Sequence, residues 1–456
     1  MRRRLLILVA VLGLAACGGS RLPGGQSVAY TPGLPDFDLG AVPILEGDST
    51  ALDALVSIPR VSLVFVRDTS GFRAVTRTAL SLRHEDGRLT ATVTRRDTIR
   101  VATFEETLAF DPSLIQQRLE APPGSYRLLA EVEDAATGRL AIRSLPVSLP
   151  SLDEPPSLGP ARLDAIAPDA PDFRPLVSLS VPADLDSFRV RMEVFNAPGP
   201  LDATARLLRL AADTSVAEPP SGFSPSGASL AARGVNARRP DTVFVSRQRI
   251  PAPAPALTLE QPLPTLDPGV YALRLRATPV GADEAVDETE RVFVVRPPGF
   301  PRLVGLADFV GPVRYLASPR EMADLLGAPP DSLRQVFDAF WGSRFQDRRI
   351  AEATFRAFYE RVEEANRLFS NHKDGWRTDR GMIYILFGPP ERTENRFDSE
   401  VWIYGASQPL GTVVFQRTAR RERDRVPYDV FVLQRDRAFD AAWRRVLRQW
   451  RAGQVP

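Results

Sequence analysis

The sequence predicts a multidomain chain: two all-β sandwiches followed by an α+β C-terminal domain. Three observations carry this. Residues 51–150 and 160–297 hold short alternating apolar and polar runs, punctuated by turn residues, with few helical stretches. A Pro-Gly turn feeding a strand with an early Tyr occurs once in each of these spans. From about 301 the apolar spacing changes to that of helices, and strand patterns return near the end. A chain of 456 residues has room for roughly two to four domains.

In the first unit, Val61-Ser-Leu-Val-Phe-Val66 reads as a strand, and Leu89-Thr-Ala-Thr-Val93 alternates cleanly. Tyr126, Leu128, Ala130 and Val132 fall on one face of a third strand. Leu140 to Leu149 closes the unit before a Pro-rich break. In the second, Phe188, Val190, Met192 and Val194 point inward, with Arg189, Arg191 and Glu193 outward. Thr242 to Ser246 is another strand, and 212–240 reads as a long exposed loop. Pro123-Gly-Ser-Tyr126 lines up with Pro268-Gly-Val-Tyr271, and Leu128 with Leu273. This turn and strand resemble the penultimate strand of bacterial immunoglobulin-like domains, which implies two related sandwiches.

The third unit, 302–436, predicts helices over 321–326, 331–341 and about 350–370, then four strands: 382–387, 400–404, 412–416 and 428–433. The last two pair as a hairpin around an Arg-rich tip, Arg417 to Arg425. An amphipathic helix over 437–452 carries Phe439, Trp443, Val446, Leu447 and Trp450, and suits either packing on the sheet or lying on a membrane.

The N-terminus reads as an address. Met1-Arg2-Arg3-Arg4, the apolar run Leu5 to Leu14 and Ala15-Ala16-Cys17 form a secretory signal over 1–16. The apolar run is too short to span a membrane, which needs roughly 20 residues. Leu14-Ala15-Ala16-Cys17 resembles the lipobox of bacterial lipoproteins. The resemblance implies cleavage between Ala16 and Cys17 and acylation of Cys17. Two or more acyl chains anchor stably, each buried CH₂ contributing about 0.8 kcal/mol. Gly18, in place of Asp, implies the outer membrane by the same resemblance. Residues 17–50, rich in Gly, Pro and Ser, read as a flexible tether, and the two sandwiches as spacers that place the last domain two domains away from the anchor.

Composition excludes several chemistries. Cys17 is the only cysteine, so acylation leaves no thiol for a disulfide, a nucleophile or a cluster. His84 and His372 are the only histidines, too few for a Cys/His zinc site. No phosphate-binding or dinucleotide fingerprint occurs. A formal net charge of +2 gives no bulk attraction to nucleic acid. No cofactor or metal is expected, and carboxylate-pair chemistry is the common type left open.

The most distinctive stretch is Asn371-His372-Lys373-Asp374-Gly375-Trp376-Arg377-Thr378-Asp379-Arg380-Gly381, followed by an apolar run ending Gly388-Pro389-Pro390. With Phe340-Trp341, Arg344, Asp347, Tyr359, Arg361, Ala365-Asn366 and Tyr384, it resembles the GWxTD domain over roughly 310–435. The resemblance implies an exported bacterial protein with β-rich regions before the motif, and no established activity. Gly375 and Gly381 suit backbone conformations that a side chain penalises. Trp376 plugs a helix–sheet seam, Thr378 and Asp379 lock a turn, and Gly388-Pro389-Pro390 stops a strand. Two other readings remain open. Trp376 and Trp402 could form a binding lip, and Asn371, Asp374 and Asp379 could hold a cation, although their spacing is not that of an EF-hand. The expected function is a non-enzymatic envelope lipoprotein binding a protein or an envelope polymer. The alternatives are a carboxylate-dependent hydrolase of cell-wall polymer and an accessory subunit of a secretion or transport complex.

Overall fold

The structure, a computed structural model, describes residues 30–456 except 47–48, 110–111, 152, 167–171, 183–184, 186, 198, 220–233, 251–252, 397, 406–407, 409 and 419–429. Ala16 and Cys17 lie outside the described residues, as does most of the Arg-rich tip. No helix among the described residues is long and apolar enough to cross a membrane.

The chain is mostly β and multidomain, with its helices concentrated at the C-terminal end. In the first unit, strands Asp38–Glu46, Ser49–Pro59 and Pro112–Glu120 form one antiparallel sheet. Facing it are Val66–Asp68, Gly71–His84, Leu89–Val101, Gly124–Asp134 and Arg139–Leu149. Leu52, Val56, Ile58 and Ile115 from the first sheet and Leu80, Leu128, Ala130 and Val132 from the second share one core, so the sheets pack face to face.

Two expectations change here. Part of the expected tether is a strand: Asp38–Glu46 pairs with Ser49–Pro59 and buries Leu39, Val42 and Leu45. Gly40 and Pro43 hide it in the sequence, but it is an edge strand, where proline is tolerated. The expected strand 61–66 is a 3-10 turn, Arg60–Ser62, then irregular chain up to Val66, where the short strand Val66–Asp68 begins. Ser62 Oγ donates to the Pro59 and Asp36 carbonyls, and Val64 and Val66 are exposed. The contiguous apolar run is a corner and not a strand: Leu63 is buried and Phe65 packs partly on the core, while Val64 and Val66 face outward.

The second unit repeats the architecture. Arg174–Leu176, Arg162–Ile166, Ser187–Ala197 and Ala254–Leu263 form one sheet, with Ser157–Leu158 beside Ser187–Ala197. Ser180–Pro182, Asp287–Arg296, Gly269–Pro279, Leu201–Ala212 and Val235–Ile250 form the other. Phe188, Val190, Met192 and Val194 meet Leu207, Leu273, Leu275 and Phe293 in one core. The strand Val235–Ile250 takes up the end of the span expected as a loop. The Pro-Gly-x-Tyr repeat has an atomic counterpart. Tyr126 donates its hydroxyl to the Pro122 carbonyl at 2.8 Å, and Tyr271 donates to the Asp267 carbonyl at 2.9 Å. Each buried ring therefore ties the start of its strand to the turn before it, the tyrosine-corner device of immunoglobulin-like sandwiches.

The helices are α1 (Phe104–Thr107), in the first unit, and α2 (Leu306–Val313), α3 (Pro319–Gly327), α4 (Pro330–Gly342), α5 (Arg348–Phe369), α6 (Asp379–Phe387) and α7 (Phe439–Arg451), in the last; α3, α4, α5 and α7 follow the expected periodicity, whereas α1 and α2 are not among the expected helices and α6 takes the place of an expected strand. Ser318 and Glu321 close a capping box on α3. The last sheet runs Arg392–Asn395, Ser399–Ile403, Thr412–Arg417, Phe431–Leu433, all antiparallel. Residues 382–387, expected as a strand, are the body of α6, and every residue of that helix is buried. Six consecutive apolar residues carry no periodicity that separates a buried strand from a buried helix. Gly388, at φ +80°, therefore ends a helix and not a strand. On α7, Ala442, Val446 and Trp450 are buried against the domain, and Trp450 Nε1 donates to the Leu386 carbonyl at 2.9 Å. Its apolar face is thus used for packing and not for a membrane surface.

Candidate functional site

The Gly-Trp-Arg-Thr-Asp segment crosses the C-terminal half of α5 and then starts α6. At Gly375 the requirement is room, not a special φ. A Cβ there would stand 1.8 Å from the Ala365 carbonyl oxygen and 2.8 Å from Asn366 Cα. At Gly381 it would stand 1.9 Å from the Gly375 oxygen. Helix α5, the loop and α6 therefore meet backbone to backbone.

Hydrogen bonds fix that crossing. Ser370 Oγ accepts from the Gly375 amide at 2.7 Å, and Asn366 Oδ1 accepts from the Trp376 amide at 3.1 Å. Asn366 Nδ2 donates to the Pro301 carbonyl. Thr378 Oγ1 donates to the Gly375 carbonyl and accepts from the Gly381 amide, capping α6. Tyr315 donates its hydroxyl to the Trp376 carbonyl at 2.6 Å. The Trp376 ring is buried against Gly311, where a Cβ would come within 2.8 Å of it. Asp379 is buried and bound by Arg435, Nη2 donating to Oδ1 at 2.6 Å, while the Leu433 amide donates to Oδ2 at 2.8 Å.

The structure separates the two tryptophans expected to form a lip. Trp376 packs on Gly311 and Tyr315. Trp402 is wholly buried against Phe369, Phe415 and Tyr30. Neither offers an exposed ring, so no lip forms. The expected oxygen loop is also dispersed. Asp379 is committed to Arg435, Asp374 to Arg296 and Arg377, and the Asn371 carbonyl accepts from Arg296. Pro389 is exposed beside buried Gly388 and Pro390.

The motif face also receives the second sandwich. Lys373 donates to Asp213 Oδ2 at 3.2 Å and to the Ser215 carbonyl, and the Ala217 amide donates to the Arg377 carbonyl. Arg435 Nη2 donates to the Glu218 carbonyl at 3.2 Å and Nε to that of Pro219. His372 is buried in this seam near Lys373, Asp213 and Arg296. Burial, then Lys373, pulls its pKa down from 6.5 to about 3. The sign follows. Above pH 6.5 the ring is neutral folded and unfolded, and pH has no effect through it. Below 6.5 the unfolded chain takes a proton that the fold refuses, so stability falls with pH until about 3. The expected slope reaches about 1.4 kcal/mol per pH unit. It should appear as a difference between wild type and His372→Asn in urea midpoints at pH 7.5, 6 and 5; parallel midpoints would contradict it.

Sequence reading missed Tyr30, Glu400 and Arg380. Tyr30, just past the N-terminal stretch, inserts its ring among Phe369, Tyr384 and Trp402, with centroids at 5.2, 6.0 and 5.5 Å. Its amide donates to Glu400 Oε2 at 3.3 Å, and Thr393 Oγ1 donates to its carbonyl at 2.7 Å. Glu400, fully buried, also accepts from Arg380 and from the Trp402 indole. Burial, then Glu364, pushes the Tyr30 hydroxyl up to about 12, so it stays protonated; a hydrogen bond joins it to Tyr384. The available signal was small: Tyr30 is the only aromatic residue between Gly18 and Asp36.

Fold and site together define a β-rich multidomain protein whose final α+β domain is organised around a glycine-crossed loop. Residues 280–452 match the family model of the GWxTD domain, and the chain is a GWxTD domain-containing protein. Comparison with curated proteins finds no match. Among solved structures, a crystal structure of red sea bream transglutaminase aligns over 57% of this chain and 31% of that one, at 12% identity and a TM-score of 0.18. The chain spans about a third of that protein's length.

Proposed function

We propose that this protein is a non-enzymatic envelope lipoprotein, exported and anchored by acylated Cys17, in the outer membrane, that presents its GWxTD domain to a protein or envelope-polymer partner. The carrying observation is the tetrad Leu14-Ala15-Ala16-Cys17 behind a basic and apolar leader, with the chain's only cysteine at the acceptor position. Binding is favoured over carboxylate catalysis because the buried acids at the motif are matched to arginines, Asp379 to Arg435 and Glu400 to Arg380.

The seat of Tyr30 changes the geometry of this reading. The 13 residue steps from Cys17 to Tyr30 extend at most about 45 Å. An anchor on Cys17 would therefore hold the Tyr30 face of the last domain within that distance of the lipid, not two domains away. The sandwiches then brace the GWxTD domain and do not space it from the membrane. Cys17→Ser should move the protein from the membrane pellet to the soluble fraction, with an unchanged circular dichroism spectrum. Retention in the pellet as tight as wild type would overturn the reading.

A further inference from the structure

We propose that the GWxTD domain carries a binding site for a tyrosine-bearing segment, and that in this chain the occupant is its own arm, residues 30–36, bound as a clasp. The inference concerns the domain itself and does not depend on the lipid.

The segment is held as a ligand is held. Its one aromatic side chain enters a socket walled by Phe369 at the end of α5, Tyr384 on α6 and Trp402 on the sheet. Both polar backbone groups of Tyr30 are read by side chains, the amide by Glu400 and the carbonyl by Thr393. Beyond it, Thr31 and Gly33 are exposed and Pro32 half-buried, while Leu34 packs on the core of the first sandwich and Pro35 is buried, so the ring of Tyr30 is the arm's aromatic hold on the last domain. The chain then passes to Asp36, which pairs with Arg143 of the first sandwich at 2.6 Å and reaches Arg367 of α5 at 3.8 Å. Phe37, next in sequence, is buried in the first sandwich. The arm thus bridges two units through a single anchored ring at its far end.

The socket is built without the arm. If Tyr30 leaves, buried Glu400 keeps Arg380 and the Trp402 indole as partners, so its charge is not stranded. Tyr384 keeps Glu364 for its hydroxyl. Arg380 is itself stacked between Phe369 and Phe431, at 5.2 and 4.2 Å. Its neighbour Asp379 and its cap Thr378 belong to the Gly-Trp-Arg-Thr-Asp segment. The motif therefore positions α6, and α6 supplies one wall and, through Arg380, the buried acid that reads the ligand's backbone. An aromatic ring with a hydroxyl, on a residue whose own N–H and C=O are free to pair with side chains, is the chemistry this socket recognises.

The test uses the full chain in detergent and a fluorescent peptide of residues 26–36, Gln-Ser-Val-Ala-Tyr-Thr-Pro-Gly-Leu-Pro-Asp. Tyr30→Ala empties the socket. That variant should bind the peptide saturably and at least about tenfold more tightly than wild type, whose own arm competes at an effective concentration on the order of millimolar. The same peptide with alanine in place of its tyrosine should not bind. Absence of saturable binding to a folded Tyr30→Ala chain, or equal binding to both chains, overturns the proposal. A wild-type dimer that becomes monomeric on Tyr30→Ala would assign the arm to a second copy and overturn the cis assignment. Should Tyr30→Ala fail to fold, Thr393→Val decides. It leaves the aromatic walls intact and should speed amide exchange over 30–34 alone. Exchange there that rises only with global unfolding would make the arm part of the core and end the proposal.

Discussion

Gly375→Ala is expected to unfold the last domain while leaving the two sandwiches folded. The added methyl would stand 1.8 Å from the Ala365 oxygen, 2.5 Å from its carbonyl carbon and 2.8 Å from Asn366 Cα. All three are backbone atoms inside a 22-residue helix, so no rotamer change relieves the overlap. The loop cannot retreat either, because the Gly375 oxygen already lies where a Cβ on Gly381 would be. Separation of loop and helix breaks the Asn366 bond to the Trp376 amide and the Tyr315 bond to its carbonyl, and lifts the indole off Gly311. Overpacking a well-packed core costs typically 1–3 kcal/mol, and a backbone-on-backbone overlap with lost buried hydrogen bonds adds to that. A total of more than about 4 kcal/mol is expected, within the range reserved for such combined damage. Calorimetry should show the transition of the last domain lost or greatly lowered, with a β-type far-ultraviolet spectrum persisting. A single transition within a few degrees of wild type would show that the crossing is not as tight as its geometry.

That glycine illustrates what the sequence can and cannot express. The motif is legible as a string, but its reason is a distance between residues 365 and 375, and a string carries no distances. Where structure depends on local periodicity, the reading succeeds. Phe188, Val190, Met192 and Val194 alternate inward, and Tyr126 and Tyr271 mark equivalent corners. Where burial is two-sided or local chain chemistry is ambiguous, it fails. Residues 382–387 are apolar on every side because α6 is enclosed on every side. Gly40 and Pro43 make a real edge strand look like tether. The partners of the site were illegible for a third reason. Glu400 meets Tyr30 across 370 residues, and Asp379 meets Arg435 across 56. Nothing near either acid announces the cation or amide that makes its burial tolerable.

The Asp379–Arg435 pair is where that long-range matching bears most weight. The Arg435 side chain is fully buried and that of Asp379 nearly so. Arg435 also donates to the carbonyls of Glu218 and Pro219, joining the segment from the second sandwich to the start of α6. Arg435→Met removes the cation at similar volume. Asp379 is then left with the Leu433 amide as its remaining partner among those described, and two or more carbonyls lose a donor. Breaking one side of a buried pair costs about 3–5 kcal/mol, much of it from the stranded charge. The stranded charge gives the test its specificity. Asp379→Asn with Arg435→Met removes both charges, so the double variant should lose clearly less than the sum of the singles, with an interaction energy of about 1–3 kcal/mol. Chemical denaturation of the four chains measures this directly. Arg435→Met should also open the 213–219 segment to protease while wild type resists. Additive losses, or a single Arg435→Met loss below about 1 kcal/mol, would mean that the pair fills space in the seam without governing it, and that the second sandwich is held to the motif by Lys373 and the Arg377 carbonyl instead.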